Sequence, residues 1–171
     1  MVKVNRKEAE PMKEGYVDNR FASLYYKEMG QGMPLIMLHG NGESHEIFAR
    51  LSELMSRYYR VILMDSRGHG SSLMKEEAAG GDLTIPDMAA DVVQVMEFLH
   101  VPRAVILGFS DGANVALETA SCYPGRVSAV VAVSGNALPR GMSAASLMEV
   151  KLKYALWRGL ETVSYTHLRA H

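Results

Sequence analysis

Four short runs of apolar residues, at positions 35–38, 61–64, 104–107 and 127–133, constrain the fold of this chain more than any other feature. They are nearly continuous instead of alternating, which is the pattern of parallel strands buried on both faces. Helical periodicity fills the gaps between them. Residues 46–58 place Phe48, Leu51, Leu54 and Met55 on one face, and residues 84–99 repeat Met88, Val92, Val95, Met96 and Leu99 at intervals of three and four. Thr84, with Asp87 three positions on, predicts an N-terminal cap for the second of these helices. Ahead of the first run, residues 15–19 and 22–29 alternate apolar and polar positions about a turn, as a β-hairpin at a sheet edge does. The alternation of strand and helix predicts an α/β fold, a mostly parallel sheet with helices on both faces.

Such sheets bind their ligands at the carboxyl ends of the strands. The segments just after the runs are accordingly rich in glycine and polar residues: His39, Gly40, Asn41 and Gly42 after the first, 65–70 after the second, and 108–112 after the third. Composition narrows what they can serve. With 48% apolar and 22% charged residues, 171 positions suit one globular domain with a real core. Eighteen basic against nineteen acidic residues give a net charge of -1, which offers nothing to nucleic acid or to an anionic membrane and suits a small-molecule substrate. No apolar stretch resembles a signal peptide or a membrane span, so the expected location is the cytoplasm. The single cysteine, Cys122, falls in a helical stretch and is expected to be a buried structural thiol. Met33, Met37, Met55, Met64, Met88 and Met96 are expected to face the core, with no cofactor or metal needed to explain them.

The segment Gly108-Phe109-Ser110-Asp111-Gly112 fits G-x-S-x-G, a turn from strand into helix that holds its serine in a strained conformation. Gly108 and Gly112 are needed where the two backbones approach, and Ala113 and Ala116 extend the close packing. A serine hydroxyl needs a base, a carboxylate to orient that base, and donors for the developing oxyanion. The backbone N–H groups of Asn41 and Asp111 are the candidate donors, with Gly40 and Gly42 letting the Asn41 loop approach a substrate. His39 and His69 are read as loop-holding residues and not as proton carriers, and Asp65 and Arg67 as turn stabilisers. The Asp111 carboxylate is expected to face solvent, and His45 either to line the pocket or to sit exposed at a helix start.

On these residues the chain resembles the α/β-hydrolase superfamily, in the branch of serine esterases and C-C hydrolases. The resemblance runs from Pro34 to about Leu138: 39–42 is similar to the family's oxyanion loop, 65–70 to its D-x-R-G-x-G turn, Ser110 to its nucleophile, and 123–127 to its link from elbow helix to next strand. It implies hydrolysis of a small carboxylic ester, or a related acyl or C-C bond, through an acyl-enzyme on Ser110, without a cofactor. Two alternatives stand beside it, an acyltransferase of the same fold and a non-catalytic ligand-binding protein. The Asn41 loop is also similar to that of haloalkane dehalogenases, but those carry an aspartate at the position of Ser110.

The family order of serine, acid, histidine is not completed. After Ser110 the histidines are His167 and His171 and the acids Asp111, Glu118, Glu149 and Glu161, with too few residues for the strands that deliver an acid and a base. The expected organisation is therefore a polar leader at 1–14, the N-terminal part of the α/β core at 15–140, the start of a lid at 141–162 and a non-native tail at 163–171. The lid helix is carried by Leu147, Val150, Tyr154 and Trp157. The tail resembles one reading frame of a transposon-type sequencing adaptor. A chain so shortened would be an inactive fragment lacking its last strands and most of its lid, with the 127–133 strand as an uncovered apolar edge.

Overall fold

The computed structural model describes residues 12–76 and 83–135, all within one compact unit, Met1–Gly135. The expected lid helix and tail lie outside the described residues, as does most of the leader. Seven strands form one mixed sheet: β1 (Lys13–Asp18), β2 (Ala22–Met29), β3 (Met33–Leu38), β4 (Tyr59–Met64), β5 (Leu73–Met74), β6 (Ala104–Phe109) and β7 (Val127–Val133). Their order is β1-β2-β4-β3-β6-β7, with the two-residue β5 beside β2. The expected hairpin is β1 with β2, antiparallel, and β2 joins the sheet antiparallel to β4. From β4 through β3 and β6 to β7 every pairing is parallel, as the four apolar runs predict.

Both faces of the central strands are buried, and alternate residues serve opposite layers. Leu35 and Met37 of β3, with Val61 and Leu63 of β4, pack under Phe48, Leu51 and Met55. Ile36, Leu38, Ile62, Met64 and Ile106 face the other way, against Val92, Val95, Met96, Val115 and Ala116. These last residues come from α2 (Ile85–Phe98) and α3 (Asp111–Cys122). Thr84 caps α2 as predicted, its side chain accepting the Asp87 N–H. Among the described residues no helix is long and apolar enough to cross a membrane.

Several expectations are corrected. The helix expected over 46–58 is a 3₁₀ turn, His45–Phe48, followed by α1, Ala49–Met55. The buried face of this element runs through Phe48 and Ser52, and Leu54, lying well off that face, is exposed. Met33 opens β3 and is 57% exposed, not in the core. Cys122 ends α3 exposed, its thiol turned to Glu118 Oε1 at 3.2 Å. β7 ends the sheet order, and Val131 and Val133 stand exposed on it.

The topology fixes where a ligand can sit. The chain steps from β3 outward to β4, then crosses back to β6 on the other side of β3, and open α/β sheets bind ligands where the direction of winding reverses in this way. Leu38 is in register with Met64 on one side and Gly108 on the other, so three loops leave the sheet at one level.

Candidate active site

Ser110 alone joins β6 to α3. Its φ of 52° and ψ of -117° lie where residues with a side chain are rare, so the corner holds local strain. The surroundings enforce that conformation. The Ser110 N–H donates to Val133 O at 2.8 Å, and Ser110 O accepts from Ala113 N–H at 2.9 Å. A Cβ on Gly108 would stand 2.1 Å from Gly112 O, and one on Gly112 would stand 2.2 Å from Leu38 O. Both glycines are thus sterically required, and Ala113 and Ala116 behind them are fully buried.

The loop after β3 comes directly against this corner. A Cβ on Gly40 would lie 3.1 Å from the Ser110 Cβ, which puts the two backbones in van der Waals reach. His39 is buried and orients the next peptide. The Ser66 N–H donates to His39 Nε2 at 3.0 Å, so that nitrogen is unprotonated and Nδ1–H donates to Gly40 O at 2.7 Å. Burial holds the His39 pKa below its ordinary value, which favours this neutral form. Gly40 O also accepts the Glu43 N–H at 3.3 Å, while Glu43 Oε2 accepts the Gly40 N–H at 3.0 Å. In a trans peptide the carbonyl and the N–H point opposite ways. Pinning Gly40 O therefore directs the Asn41 N–H to the other side. Among the described residues neither the Asn41 nor the Asp111 N–H has a protein acceptor. Gly42, at φ 74°, has open space around it.

The loop after β4 braces the one after β3. Asp65 is fully buried and accepts from His45 N–H at 2.6 Å, Ser71 N–H at 2.8 Å and His45 Nδ1 at 3.0 Å. His45 therefore starts the 3₁₀ turn as a half-buried, engaged residue and not an exposed one. It is packed on Asp65 and on the ring of Tyr25. A side chain on Gly70, at φ 52°, would collide with the Asp65 carboxylate. Arg67 reaches down to Asp91 of α2 through Nε at 2.5 Å and a terminal nitrogen at 2.6 Å, and Asn19 Nδ2 adds a bond to Asp91 at 2.8 Å. Burial pushes the Asp91 carboxyl up, with Arg67 and Asn19 opposing it. His69 places Nδ1 3.1 Å from Arg67 O and Nε2 3.1 Å from Asn41 Oδ1, linking this loop to the one after β3.

Ser110, Gly108, Gly112, Asp111, Gly40 and Asn41 are thus gathered at one place, with Gly42 at the outer bend of the loop. Asp111 is half-buried, and its carboxylate has Asn114 Nδ2 at 3.5 Å. Among the described residues no side chain hydrogen-bonds the Ser110 hydroxyl, and His39 and His69 both have their ring nitrogens engaged elsewhere. Sequence reasoning missed Glu43 and Asp91. The second left a signal, a carboxylate set between Met88 and Val92 on the apolar face of α2.

Residues 33–166 match the family model for the alpha/beta hydrolase fold. The AB hydrolase superfamily protein YisY of Bacillus subtilis is 34% identical over 104 residues, 60% of this chain and 37% of that protein. The pimeloyl-[acyl-carrier protein] methyl ester esterase of Chromobacterium violaceum is 31% identical, over 66% of this chain and 41% of its own length. The solved structure of an N-acyl homoserine lactone degrading enzyme is 32% identical with a TM-score of 0.67, covering 75% of this chain and 49% of that one. The chain spans about two fifths of the length of these curated relatives.

Proposed function

The chain belongs to the alpha/beta hydrolase fold family, and on that premise we propose that the full-length protein is a serine hydrolase of small carboxylic esters or related acyl compounds. One observation carries the reading. Ser110 is held at φ 52° on a strand-to-helix corner whose glycines admit no side chain, with Gly40 of the neighbouring loop against it. Strain of this kind persists only where the surroundings over-determine it, and it concentrates at sites of chemistry.

In the proposed reaction the Ser110 oxygen attacks the acyl carbon and its proton passes to a base supplied by the rest of the protein. The carbonyl oxygen gains negative charge, which the N–H groups of Asn41 and Asp111 receive; removing one such donor costs about a hundred- to a thousandfold in rate. Collapse expels the alcohol and leaves an acyl-Ser110 ester, which water cleaves to release the acid and regenerate the hydroxyl. Two of the relatives support this chemical class by name, since a methyl ester and a lactone are both cleaved at an acyl carbon.

Fluorophosphonate labelling of the full-length protein and of Ser110→Ala tests this. Label that disappears in Ser110→Ala is the expected result. No label, or label that survives the substitution, refutes the reading. Product analysis with an added alcohol or thiol then separates hydrolysis from acyl transfer.

A further inference from the structure

The peptide groups leading into Asn41 are pinned by His39 and by Glu43, and the Glu43 N–H closes the turn on Gly40 O at 3.3 Å, but the bend between them, Asn41 and Gly42, is open. Asn41 is exposed, Gly42 follows at φ 74°, and nothing lies within 4 Å of where a Gly42 side chain would begin. Besides that turn, what holds the bend is the Asn41 side chain, whose hydrogen bond among the described residues goes to His69 Nε2 at 3.1 Å. His69 is itself anchored by Nδ1 on Arg67 O at 3.1 Å, and the Arg67 side chain is tied to Asp91 in the core.

We propose that His69 is a positioning residue for the oxyanion site: through the Asn41 side chain it fixes the loop whose Asn41 N–H receives the developing charge. This rests on the serine-hydrolase reading above. Arg67 O only accepts, so Nδ1 carries a proton in either charge state of the ring. A neutral ring then offers Nε2 to the Asn41 amide nitrogen, and a charged ring donates from Nε2 to the amide oxygen. The carboxamide satisfies both by turning over, so the link does not depend on the ring's charge. Its effect falls on the transition state, because the N–H it steadies meets full charge only there.

The experiment is steady-state hydrolysis of p-nitrophenyl acetate by the full-length protein and its His69→Ala, His69→Gln, Asn41→Ala and double-alanine forms. Loosening a donor costs less than deleting it, so His69→Ala and Asn41→Ala should each lower kcat by about ten- to a hundredfold with KM within about twofold. The double variant should be no worse than either single one, because the two residues act as one link. His69→Gln, which keeps a carboxamide in reach, should recover most of the loss. Unchanged kcat in Asn41→Ala, or losses that multiply in the double variant, would overturn the proposal. Asn41 is exposed, so its variant reports even if His69→Ala fails to fold. Fluorophosphonate labelling of the unsubstituted protein separates the two failures. Labelled Ser110 with indifferent variants sinks only the role of His69, and an unlabelled protein sinks both.

Discussion

Replacing Gly108 with alanine should disturb stability and rate together, and the size of both effects follows from one contact. The new methyl would stand 2.1 Å from Gly112 O, 2.4 Å from Gly112 C and 2.5 Å from Ala113 N. A carbon and a carbonyl oxygen come to rest a little over 3 Å apart, so α3 must retreat from β6 by about 1 Å. The obstacle is backbone on both sides, with no flexible side-chain end to swing away. Forced overpacking of this kind costs about 1–3 kcal/mol, occasionally more. For a protein of 150–250 residues that lowers Tm by about 2–4 °C per kcal/mol. The retreat also carries Ser110 away from Gly40, and a misplacement of about 1 Å at a reacting centre costs about a hundredfold in rate. Gly125 is the control. Nothing lies within 4 Å of a Cβ there and its φ is not in the left-handed region. Gly125→Ala should leave the rate alone and stabilise by about 0.4–1 kcal/mol through the unfolded chain. Thermal unfolding and ester hydrolysis of the full-length protein measure both. A Gly108→Ala variant with unchanged Tm and rate would refute the steric account of the corner.

Asp91→Ala should destabilise by about 3–5 kcal/mol in urea unfolding, because it strands the Arg67 guanidinium in a site only 7% exposed. Stability should also fall in mild acid. His39 has a folded pKa below its unfolded one, so the native state binds fewer protons; the contribution is full above about pH 6.5 and is lost as pH falls through the lower native value. Unfolding at a series of pH values should show His39→Gln losing less stability on acidification than the parent. Cys122 is exposed yet should alkylate slowly, since the Glu118 hydrogen bond raises its pKa and thins the thiolate. Glu118→Gln should speed modification by iodoacetamide, followed by mass spectrometry.

The parallel strands were legible in the sequence because strands covered on both faces need apolar side chains at every position, and a continuous run of four is visible without neighbours. The two-residue β5 could not be seen that way, since Leu73 and Met74 are too few to show any period. The break before α1 was hidden because the apolar spacing of 48, 51 and 55 is satisfied by a 3₁₀ turn feeding a helix as well as by one helix. Spacing likewise gave no warning at Leu54 or Cys122. Periodicity says which residues share a face, and only the neighbouring layer says how much of that face is covered.

At the site the division is sharper. Ser110, its two glycines and the Gly40 loop follow from local backbone demands, namely a tight corner and a close approach, and glycine spacing records both. The contacts that orient these pieces are different in kind. Glu43 on Gly40, Arg67 on Asp91 and His69 on Asn41 are single side-chain meetings, the last two across 24 and 28 positions, and no repeat or motif spacing encodes them. Yet two of them tie a loop to something buried, Arg67 to the underside of α2 and Asn41 through His69 to Arg67, while Glu43 closes its own loop on a peptide that buried His39 also holds. The strands bring three loop ends to one level, which sets the site to within a few ångströms. The remaining precision, the orientation of one peptide N–H against one serine, is left to polar side chains anchored in the layer beneath. In this chain the fold is therefore written in apolar periodicity and the candidate site in glycines, while the geometry between them rests on charged and imidazole side chains that look ordinary until their partners are seen.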